Sequence, residues 1–546
     1  MNLRNLFRSL TSSLAPLSGT GKGLGPVSSS HEVEQGLMVF ENTAEVIRAE
    51  RLFRERGLPV KVMGPPPDLR TGCDMVLVFP LLMELAVRKT LEDERLHPLK
   101  IVPQHDLLLE PVSLFHVRRY GKYLMVRAAN MKMTTDLEEG RIVNVSGGGC
   151  PDVPYLAALL VGSSFEGYGA SAGEGKCAEA PRLHGRTLCS YSLQKAFEET
   201  ERLLKHPEDM PEAEDFIVRD SKRPAFSPLP QPGKKRSWLI CGSVPDAAFP
   251  LCRGRWALKG EELLPLDGQA GGSALPVQRG TPALIAAALA CFSGEEAELE
   301  ALLVGDDGSG QGSKALYAKL AEDILPAAGI SSGVSEERRN RLEGLTFHYL
   351  FPDVDGHNRV LMALDAMERR PLAVADAGFM YAAKMSGYAA SYDLFTPDAG
   401  ELAFLADEKA PHPFYTRGFV LAGDKDVTEL AERAFQYGNC PQYMLVKGVS
   451  DMLFKGKELV ARVDSPCVPA MECMGGTGDF VAGMTTGLLA LGYDLESSAL
   501  AAARCNRLAG AAAAPTPATR VAELLPYVST IMDALRRGDA SRLHAE

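Results

Sequence analysis

From Trp238 to the C-terminus, short apolar segments alternate with longer segments of helical periodicity. Strands that alternate with helices form a parallel sheet covered on both faces, and ligands of such sheets bind outside the carboxyl ends of the strands. The pattern therefore predicts an α/β domain over residues 238–546 with its site at that edge. Predicted strands are Leu239–Gly242, Ala301–Val304, Leu372–Ala375 and Met444–Lys447; predicted helices are Thr281–Ala290, Lys314–Leu325, Asp479–Leu491, Ser497–Ala514 and Val521–Arg537.

Smaller blocks precede this domain. Residues 1–36 are rich in Ser and Gly and are predicted to be a flexible extension. Residues 37–105 have the order βαββαβ, which predicts a small ferredoxin-like α+β domain. Residues 106–220 form a β-rich middle block with no predicted function. Residues 221–237 contain four prolines and are predicted to be a linker, so a fragment from about Lys235 should fold alone.

The composition excludes several classes of protein. The 546-residue chain has a net charge of −12, which argues against nucleic-acid binding because that requires a basic face. It contains no apolar run of about 18 residues, the length that spans a membrane. The 11 cysteines lack zinc-site spacing, so no metal ligand is assigned and reduced thiols in the cytoplasm are expected. Assembly into a homo-oligomer is left open.

A glycine-rich turn, Gly475-Gly476-Thr477-Gly478-Asp479, precedes the first of the three C-terminal helices. Glycines allow a tight turn and let backbone N–H groups approach an anion closely. The helix that follows adds its dipole and its unpaired donors. The carboxylate of Asp479 would repel a phosphate, but it could take a proton from an attacking hydroxyl. The alternative is a glycine-rich helix start with an ordinary aspartate.

Three further segments favour the catalytic interpretation because each lies at a predicted strand end or loop-to-helix junction. They are Asp376 after a strand, Thr396-Pro397-Asp398-Ala399-Gly400-Glu401 before a helix, and Lys447-Gly448 at another strand end. Junctions of this kind meet at one edge of a parallel sheet. The sequence therefore predicts one site built from all of these segments.

In order and spacing these segments resemble the ribokinase-like superfamily, in particular its NAD(P)H-hydrate dehydratase branch. That branch has an aspartate at a strand end, a Thr-Pro-x-x-Gly-Glu loop, a Lys-Gly strand end and a Gly-Gly-Thr-Gly-Asp turn. The strong resemblance covers residues 371–515, including the Ala-rich helix after the turn, and a weaker one extends back to about residue 238.

The resemblance implies that ATP or ADP, with Mg²⁺, phosphorylates the hydroxyl of a hydrated nicotinamide ring, after which phosphate leaves. The small hydroxylated substrate would then be hydrated NAD(P)H. Asp479 would be the base. The remaining roles implied are an anion hole at Gly475, Gly476, Thr477 and Gly478, nucleotide binding by Lys447 and Gly448, and substrate binding by Asp376, Thr396, Asp398 and Glu401.

Two departures affect the identity of the substrate. Asp398 stands where the dehydratases usually have a histidine, and their Gly-Pro-Gly-Leu-Gly loop has no good counterpart in residues 351–358. A rival signal is Gly305-Asp306-Asp307-Gly308-Ser309-Gly310, which loosely resembles a segment of ribokinase-type sugar kinases. A glycine-rich surface loop explains it equally well.

The N-terminal unit resembles a small family of sulfur- or selenium-carrier-like domains, through Val39-Phe40-Glu41-Asn42-Thr43, Leu58-Pro59-Val60-Lys61-Val62 and Cys73. Cys73 follows a glycine at a predicted strand start, where a thiolate could be exposed and reactive. The alternative for Cys73, and for Cys150 after three glycines, is a small buried residue. His348 and His357 are interpreted as structural histidines.

Three functions remain open: a dehydratase-like repair enzyme, a kinase for a sugar or another alcohol, and a carrier or regulatory protein that senses nucleotide. The intact Asp479 argues against a sensor, since a sensor gains nothing from a base beside phosphate. The Gly-Gly-Thr-Gly-Asp turn favours the dehydratase and Asp398 favours the kinase.

Overall fold

The computed structural model describes residues 34–66, 73, 75–104, 111–165, 187–216, 227–266, 273–295, 297–324, 342–416 and 427–539. The chain divides into two compact units. The first is Met1–Leu114 with Phe414–Leu421, and the second is Phe115–Pro413 with Ala422–Glu546. The predicted flexible extension lies almost wholly outside the described residues. No helix in the described ranges is both long and apolar enough to cross a bilayer.

The first unit is a four-stranded antiparallel sheet with two helices. Its elements are β1 (Gln35–Val39), α1 (Thr43–Glu55), β2 (Lys61–Met63), β3 (Val76–Pro80), α2 (Glu84–Asp93) and β4 (Lys100–Pro103). The strand order is β2-β3-β1-β4, with β1 antiparallel to both neighbours. The Asn42 side chain accepts the N–H of Glu45 and caps α1. This order confirms the ferredoxin-like prediction.

The second unit begins with a five-stranded sheet of order β8-β7-β6-β5-β9, here called the middle sheet. Its elements are β5 (Phe115–Tyr120), β6 (Tyr123–Ala128), β7 (Met131–Asp136), β8 (Arg141–Ser146), α3 (Val153–Leu160), α4 (Leu188–Lys205) and β9 (Ala213–Glu214). Leu193, Ala196 and Phe197 of α4 share a buried apolar cluster with Leu124, Val126 and Met133 of β6 and β7. The middle sheet therefore has one face covered by its own helix.

An 11-stranded sheet forms the rest of the second unit. Its strands are β10 (Trp238–Val244), β11 (Cys252–Lys259), β12 (Glu262–Pro265), β13 (Leu275–Pro276), β14 (Leu299–Gly305), β15 (Gly344–His348), β16 (Leu372–Ala375), β17 (Leu394–Phe395), β18 (Tyr443–Val446), β19 (Asp451–Lys455) and β20 (Glu458–Val463). The order is β13-β12-β11-β14-β10-β15-β16-β17-β18-β19-β20. Strands β14 to β18 in this order are parallel, which confirms the predicted α/β class.

Helices cover both faces of this sheet. They are α5 (Thr281–Ala290), α6 (Gln311–Ile324), α7 (Val354–Asp365), α8 (Phe379–Met385), α9 (Ala399–Ala406), α10 (Val427–Gln436), α11 (Thr477–Ala490), α12 (Leu495–Ala513) and α13 (Leu525–Arg537). One buried apolar cluster includes residues of α5, α11, α12 and α13, and the other includes residues of α6 to α10. A Cβ on Gly487 would lie 2.5 Å from the carbonyl oxygen of Ala288, so this glycine lets α11 pack closely on α5.

The middle sheet and the large sheet belong to one compact unit. Asn144 of β8 donates to the carbonyl oxygens of Pro517 and Thr519, at 2.9 and 3.0 Å. Within the predicted linker, Gly233 donates its N–H to the carbonyl oxygen of Gly492 and Arg236 donates to that of Leu489. The described part of the linker is therefore packed onto helix ends, and the boundary between compact units lies near Leu114 instead.

Candidate active site

The predicted glycine turn begins α11. Gly476 precedes the helix with a φ of +93°, and a Cβ there would lie 2.9 Å from the Val521 side chain. The N–H of Gly475 donates to Oδ1 of Asn144 at 3.2 Å. Gly475 therefore does not offer a free donor to an anion hole. The N–H groups of Gly476, Thr477 and Gly478 lie at the open first turn of α11, where an anion is favoured.

Asp479, in the first turn of α11, is 5% exposed. Its Oδ2 accepts the N–H of Gly280 at 2.5 Å, and its Oδ1 lies 3.3 Å from Nε2 of His348. Burial alone would raise the pKa of Asp479. The nearby imidazole of His348 with its charge, the charge of Arg279 and the Gly280 amide outweigh it and lower that pKa to about 2. The carboxylate is therefore ionised at neutral pH.

His348 ends β15 and is fully buried. Its Nδ1 lies 3.1 Å from Oγ1 of Thr281, and its Nε2 lies 3.8 Å from Oδ2 of Asp376. His348, Asp376 and Asp479 could each offer a ligand atom to a metal ion, with these atoms within 4.8 Å of one another. The sequence interpretation of His348 as structural missed this position between two carboxylates.

Lys447 and Asp376 form a buried ion pair at the carboxyl edge of the sheet. Nζ of Lys447 lies 2.8 and 2.9 Å from the two oxygens of Asp376. Burial would lower the pKa of Lys447, but the negative charges of Asp376 and Glu401 outweigh it and raise that pKa. A Cβ on Gly478 would lie 3.4 Å from this Nζ. Two residues predicted for different roles, Lys447 and Asp376, are thus partners beside the turn.

Arg507 of α12 holds the loop after Lys447 and was not predicted. Its Nε donates to Oδ2 of Asp451 at 2.8 Å, and its Nη2 donates to the carbonyl oxygens of Gly448 and Val449 at 3.0 and 2.8 Å. The N–H of Gly448 donates to Oδ1 of Asp451 at 3.1 Å. The backbone of Gly448 is therefore fixed by protein partners.

Asp398 and Glu401 form a capping box at the start of α9. The N–H of Glu401 donates to Oδ1 of Asp398, and the N–H of Asp398 donates to Oε2 of Glu401, each at 2.8 Å. Asp398 also bridges to Lys447 in parallel register. Thr396 is fully buried, and its Oγ1 has no hydrogen-bond partner among the described residues. Helix capping therefore explains why an aspartate occupies position 398.

The sugar-kinase-like segment is also accounted for by local structure. The Asp306 carboxylate accepts the N–H groups of Gly308, Gly310 and Ser313 and the hydroxyl of Ser313. Four hydrogen bonds at 2.8 to 3.0 Å occupy this carboxylate in folding its own loop. The segment therefore gives no separate support to a sugar site.

The cysteines considered reactive are buried. Cys73, in the first unit, is 2% exposed, and its Sγ lies 3.5 Å from Oγ1 of Thr43. In the second unit, a hydrogen bond with Cys189 and burial raise the pKa of Cys150 well above its usual range. The structure therefore favours the alternative of a small buried residue for both Cys73 and Cys150.

Three separate ranges of the chain match models of known families. Residues 357–532 match the family model of the NAD(P)H-hydrate dehydratases. Residues 35–103 match the Se/S carrier protein-like family, and residues 114–208 match a domain of unknown function. The middle sheet is therefore a recognised domain without an assigned role.

Two uncharacterized proteins of Methanocaldococcus jannaschii are similar to the chain. One is 38% identical over 194 residues, which is 35% of this chain and 88% of that protein. The other is 32% identical over 240 residues, 44% of this chain and 93% of that protein.

An ADP-dependent (S)-NAD(P)H-hydrate dehydratase of Cenarchaeum symbiosum is 32% identical over 165 residues, 29% of this chain and 52% of that enzyme. A solved ribokinase-like superfamily protein of Enterococcus faecalis aligns with 57% of this chain and 92% of its own, at 14% identity and a TM-score of 0.35. The chain thus belongs to the family of the two M. jannaschii proteins, and its residues 357–532 match the NAD(P)H-hydrate dehydratase family model.

Proposed function

We propose that the chain is a nucleotide-dependent phosphoryl-transfer enzyme most like an ATP- or ADP-dependent NAD(P)H-hydrate dehydratase. The observation that carries this proposal is the position of Asp479. Its ionised carboxylate lies in the first turn of α11, directly after the N–H groups of Gly476, Thr477 and Gly478. The family match over residues 357–532 and the C. symbiosum relative support the same reaction.

In the proposed reaction the hydroxyl of the hydrated ring attacks the terminal phosphorus of the nucleotide. Asp479 takes the hydroxyl proton as the new O–P bond forms and the P–O bond to the rest of the nucleotide breaks. The N–H groups at the start of α11 hold the moving phosphoryl group, and Lys447 places a positive charge beside Gly478. Phosphate then leaves the ring carbon, and loss of a proton from the neighbouring carbon restores the double bond.

The residues around Asp479 do not fit a resident magnesium site. Magnesium prefers an octahedral set of oxygen ligands, whereas the candidate set contains the nitrogen of His348. Lys447 already engages both oxygens of Asp376, and Gly280 and His348 engage those of Asp479. We therefore propose that Mg²⁺ would be supplied with the nucleotide and would not be held by these three residues.

The small-molecule kinase is the second candidate, and the structure removes two reasons for it. Asp398 caps α9, and Asp306 folds its own loop. Both residues therefore have roles that need no sugar. The nucleotide-sensor hypothesis has no described residue that favours it.

The test is a repair assay on the purified full chain. Hydrated NADH is incubated with ATP, with ADP and with no nucleotide, and recovery of NADH absorbance is followed. We expect recovery with at least one nucleotide and none without. No recovery with either nucleotide, together with phosphorylation of a sugar or other alcohol, would establish the kinase instead.

A further inference from the structure

The turn that follows β8, an edge strand of the middle sheet, lies across the carboxyl edge of the large sheet. Arg279 donates to the carbonyl oxygens of Val145 and Gly147, at 2.8 and 3.2 Å, and the hydroxyl of Tyr349 donates to that of Gly148 at 3.1 Å. A Cβ on Gly149 would collide with the Glu401 carboxylate. The domain of unknown function therefore covers the region where α/β enzymes bind their ligands.

Three polar atoms at this joint have no hydrogen-bond partner among the residues that the structure describes. They are Oδ1 of Asn130, the hydroxyl of Tyr381 and Oε1 of Glu401, on residues that are 7%, 1% and 2% exposed. Asn130 comes from the middle sheet, and the other two come from the large-sheet part. Folded proteins pair nearly all such atoms, and an unpaired one destabilises the fold.

The three side chains share one neighbourhood. The Asn130 side chain lies 3.3 Å from where a Cβ of Gly400 would be, next to Glu401. The ring of Tyr381 packs edge-on against Phe404 at 5.2 Å, and Phe404 lies one turn after Glu401 on α9. Burial raises the pKa of Tyr381, and the charge of Glu401 raises it further. Glu401 in turn interacts with the Lys447–Asp376 pair, so this neighbourhood adjoins the Asp479 site.

The chemistry of these atoms specifies what they can bind. The Asn130 oxygen only accepts hydrogen bonds, and the Tyr381 hydroxyl both donates and accepts. Burial raises the pKa of the Glu401 carboxyl well above its usual range, so this group can donate as well as accept. None of the three is positively charged, so the group is unsuited to phosphate. Its complement is a ligand with several O–H or N–H donors.

We propose that Asn130, Tyr381 and Glu401 bind the hydroxyl- or amine-bearing part of the small substrate, and that the middle sheet is the substrate-recognition domain of the enzyme. The inference rests on the proposed phosphoryl-transfer function. It assigns a role to residues 114–208 and to buried polar atoms that the middle sheet and the helices of the large sheet place near the Lys447–Asp376 pair.

Removing an unpaired polar atom separates a binding role from a structural one. Tyr381→Phe and Asn130→Leu delete the atoms while keeping most of the volume. Without ligand, Tyr381→Phe should melt at or above the wild-type temperature, because a destabilising group is gone. Asn130→Leu also removes the weak hydrogen bond from Nδ2 to Sγ of Cys189, so this variant is used for ligand binding only. The control is Tyr317→Phe, since the hydroxyl of Tyr317 donates to the carbonyl oxygen of Phe351 at 3.1 Å. We expect this control to lower the melting temperature by about 2 °C.

Ligand-induced stabilisation is then measured on the full chain with hydrated NADH, D-ribose and pyridoxine as separate probes. At least one probe should stabilise the wild type and Tyr317→Phe equally, with the shift lost or reduced at least about tenfold in apparent affinity in the other two variants. Equal shifts in all proteins would overturn the proposal, as would a melting temperature of Tyr381→Phe that falls like the control's. A wild type that no probe stabilises would overturn the ligand class.

The outcomes also distinguish this proposal from the proposed function. Stabilisation by ribose or pyridoxine alone, lost in both variants, would uphold the recognition site and contradict the dehydratase. Recovery of NADH with an unchanged KM in both variants would uphold the dehydratase and contradict the recognition site.

Discussion

Nε2 of His348 lies 3.3 Å from Oδ1 of Asp479, and the N–H of Gly280 donates to the other oxygen of the same carboxylate. Both oxygens of the proposed base are thus engaged by protein groups that favour its ionised form. The charge needed to receive a proton is therefore set by the fold before any substrate binds.

Asp479→Asn tests the role of this carboxylate. The amide oxygen can still accept the N–H of Gly280, so we expect nucleotide affinity within about twofold of wild type and turnover lower by about 100-fold or more. Asp494→Asn, which changes the capping carboxylate of α12, should leave turnover unchanged. Steady-state kinetics and nucleotide titrations measure both. Turnover of Asp479→Asn within twofold of wild type would exclude it as the base.

The dependence of stability on acidic pH should reveal the lowered pKa of Asp479. The pKa of Asp479 is lowered from 3.8 to about 2 in the folded chain. A lowered carboxyl pKa adds stability that is present above about pH 4 and is lost as the pH falls to about 2, here about 2 kcal/mol. Urea unfolding at stepped pH should therefore show a shallower loss over this window in Asp479→Asn than in wild type. Parallel curves would contradict the lowered pKa.

Gly478→Ala tests where the terminal phosphate lies. Its Cβ would lie 3.4 Å from Nζ of Lys447, in the space proposed for the phosphate. We expect nucleotide affinity to fall about tenfold or more with little change in melting temperature. Gly233→Ala, near the Gly492 carbonyl, is the matched control and should bind normally. Wild-type affinity of folded Gly478→Ala would place the nucleotide elsewhere.

Truncation tests whether the middle sheet is separable. A fragment of residues 235–546 loses Asn144, the partner of Gly475, and the carbonyls that hold Arg279. It also exposes Tyr381 and Phe404, which belong to the middle sheet's apolar cluster. We therefore expect it to be insoluble or unable to bind nucleotide, and residues 115–546 to fold and bind. Equal nucleotide affinity of the two fragments would show that the domain boundary lies at the proline-rich segment, residues 221–237, as the sequence predicts.

Arg507→Ala should destabilise the second unit by about 3 kcal/mol, because it leaves the buried carboxylate of Asp451 unpaired. Arg504→Ala, a partly exposed arginine of the same helix, should cost less than about 1 kcal/mol. Denaturant unfolding compares the two variants. Equal losses would show that the Arg507–Asp451 pair contributes no more than an ordinary arginine on this helix.

Much of the large sheet follows from local sequence. The range predicted for Thr281–Ala290 matches α5, because an Ala-rich run with Pro282 in its first turn favours a helix. The range Leu372–Ala375 matches β16, because a short apolar run of this length between loops favours a buried strand. Strand β15 was missed. It begins with Gly344, which disfavours strand structure, and the ring of Trp238 occupies the position of a Cβ there. Because β15 was not predicted, the position of its last residue, His348, at the carboxyl edge of the sheet was not predicted either.

The contacts made by the middle block could not be predicted either. Asn144 and Gly475 are 331 residues apart, and no periodicity in either segment specifies the other. Arg279 is similar, since its partners are backbone carbonyls of Val145 and Gly147, which any residue could supply. Local patterns specify elements, whereas such distant pairings depend on the packing of the whole unit.

The bond from Gly280 to Asp479 ties the start of a core helix to the proposed base. Under the proposed function this position is therefore constrained twice, once by chemistry and once by folding. A descendant that abandoned catalysis would still be penalised for losing the aspartate, because the amide before α5 would be left without its acceptor. A diverged relative that retains the Gly-Gly-Thr-Gly-Asp turn would therefore be expected to retain the fold. Its catalytic activity would have to be shown by a measured turnover.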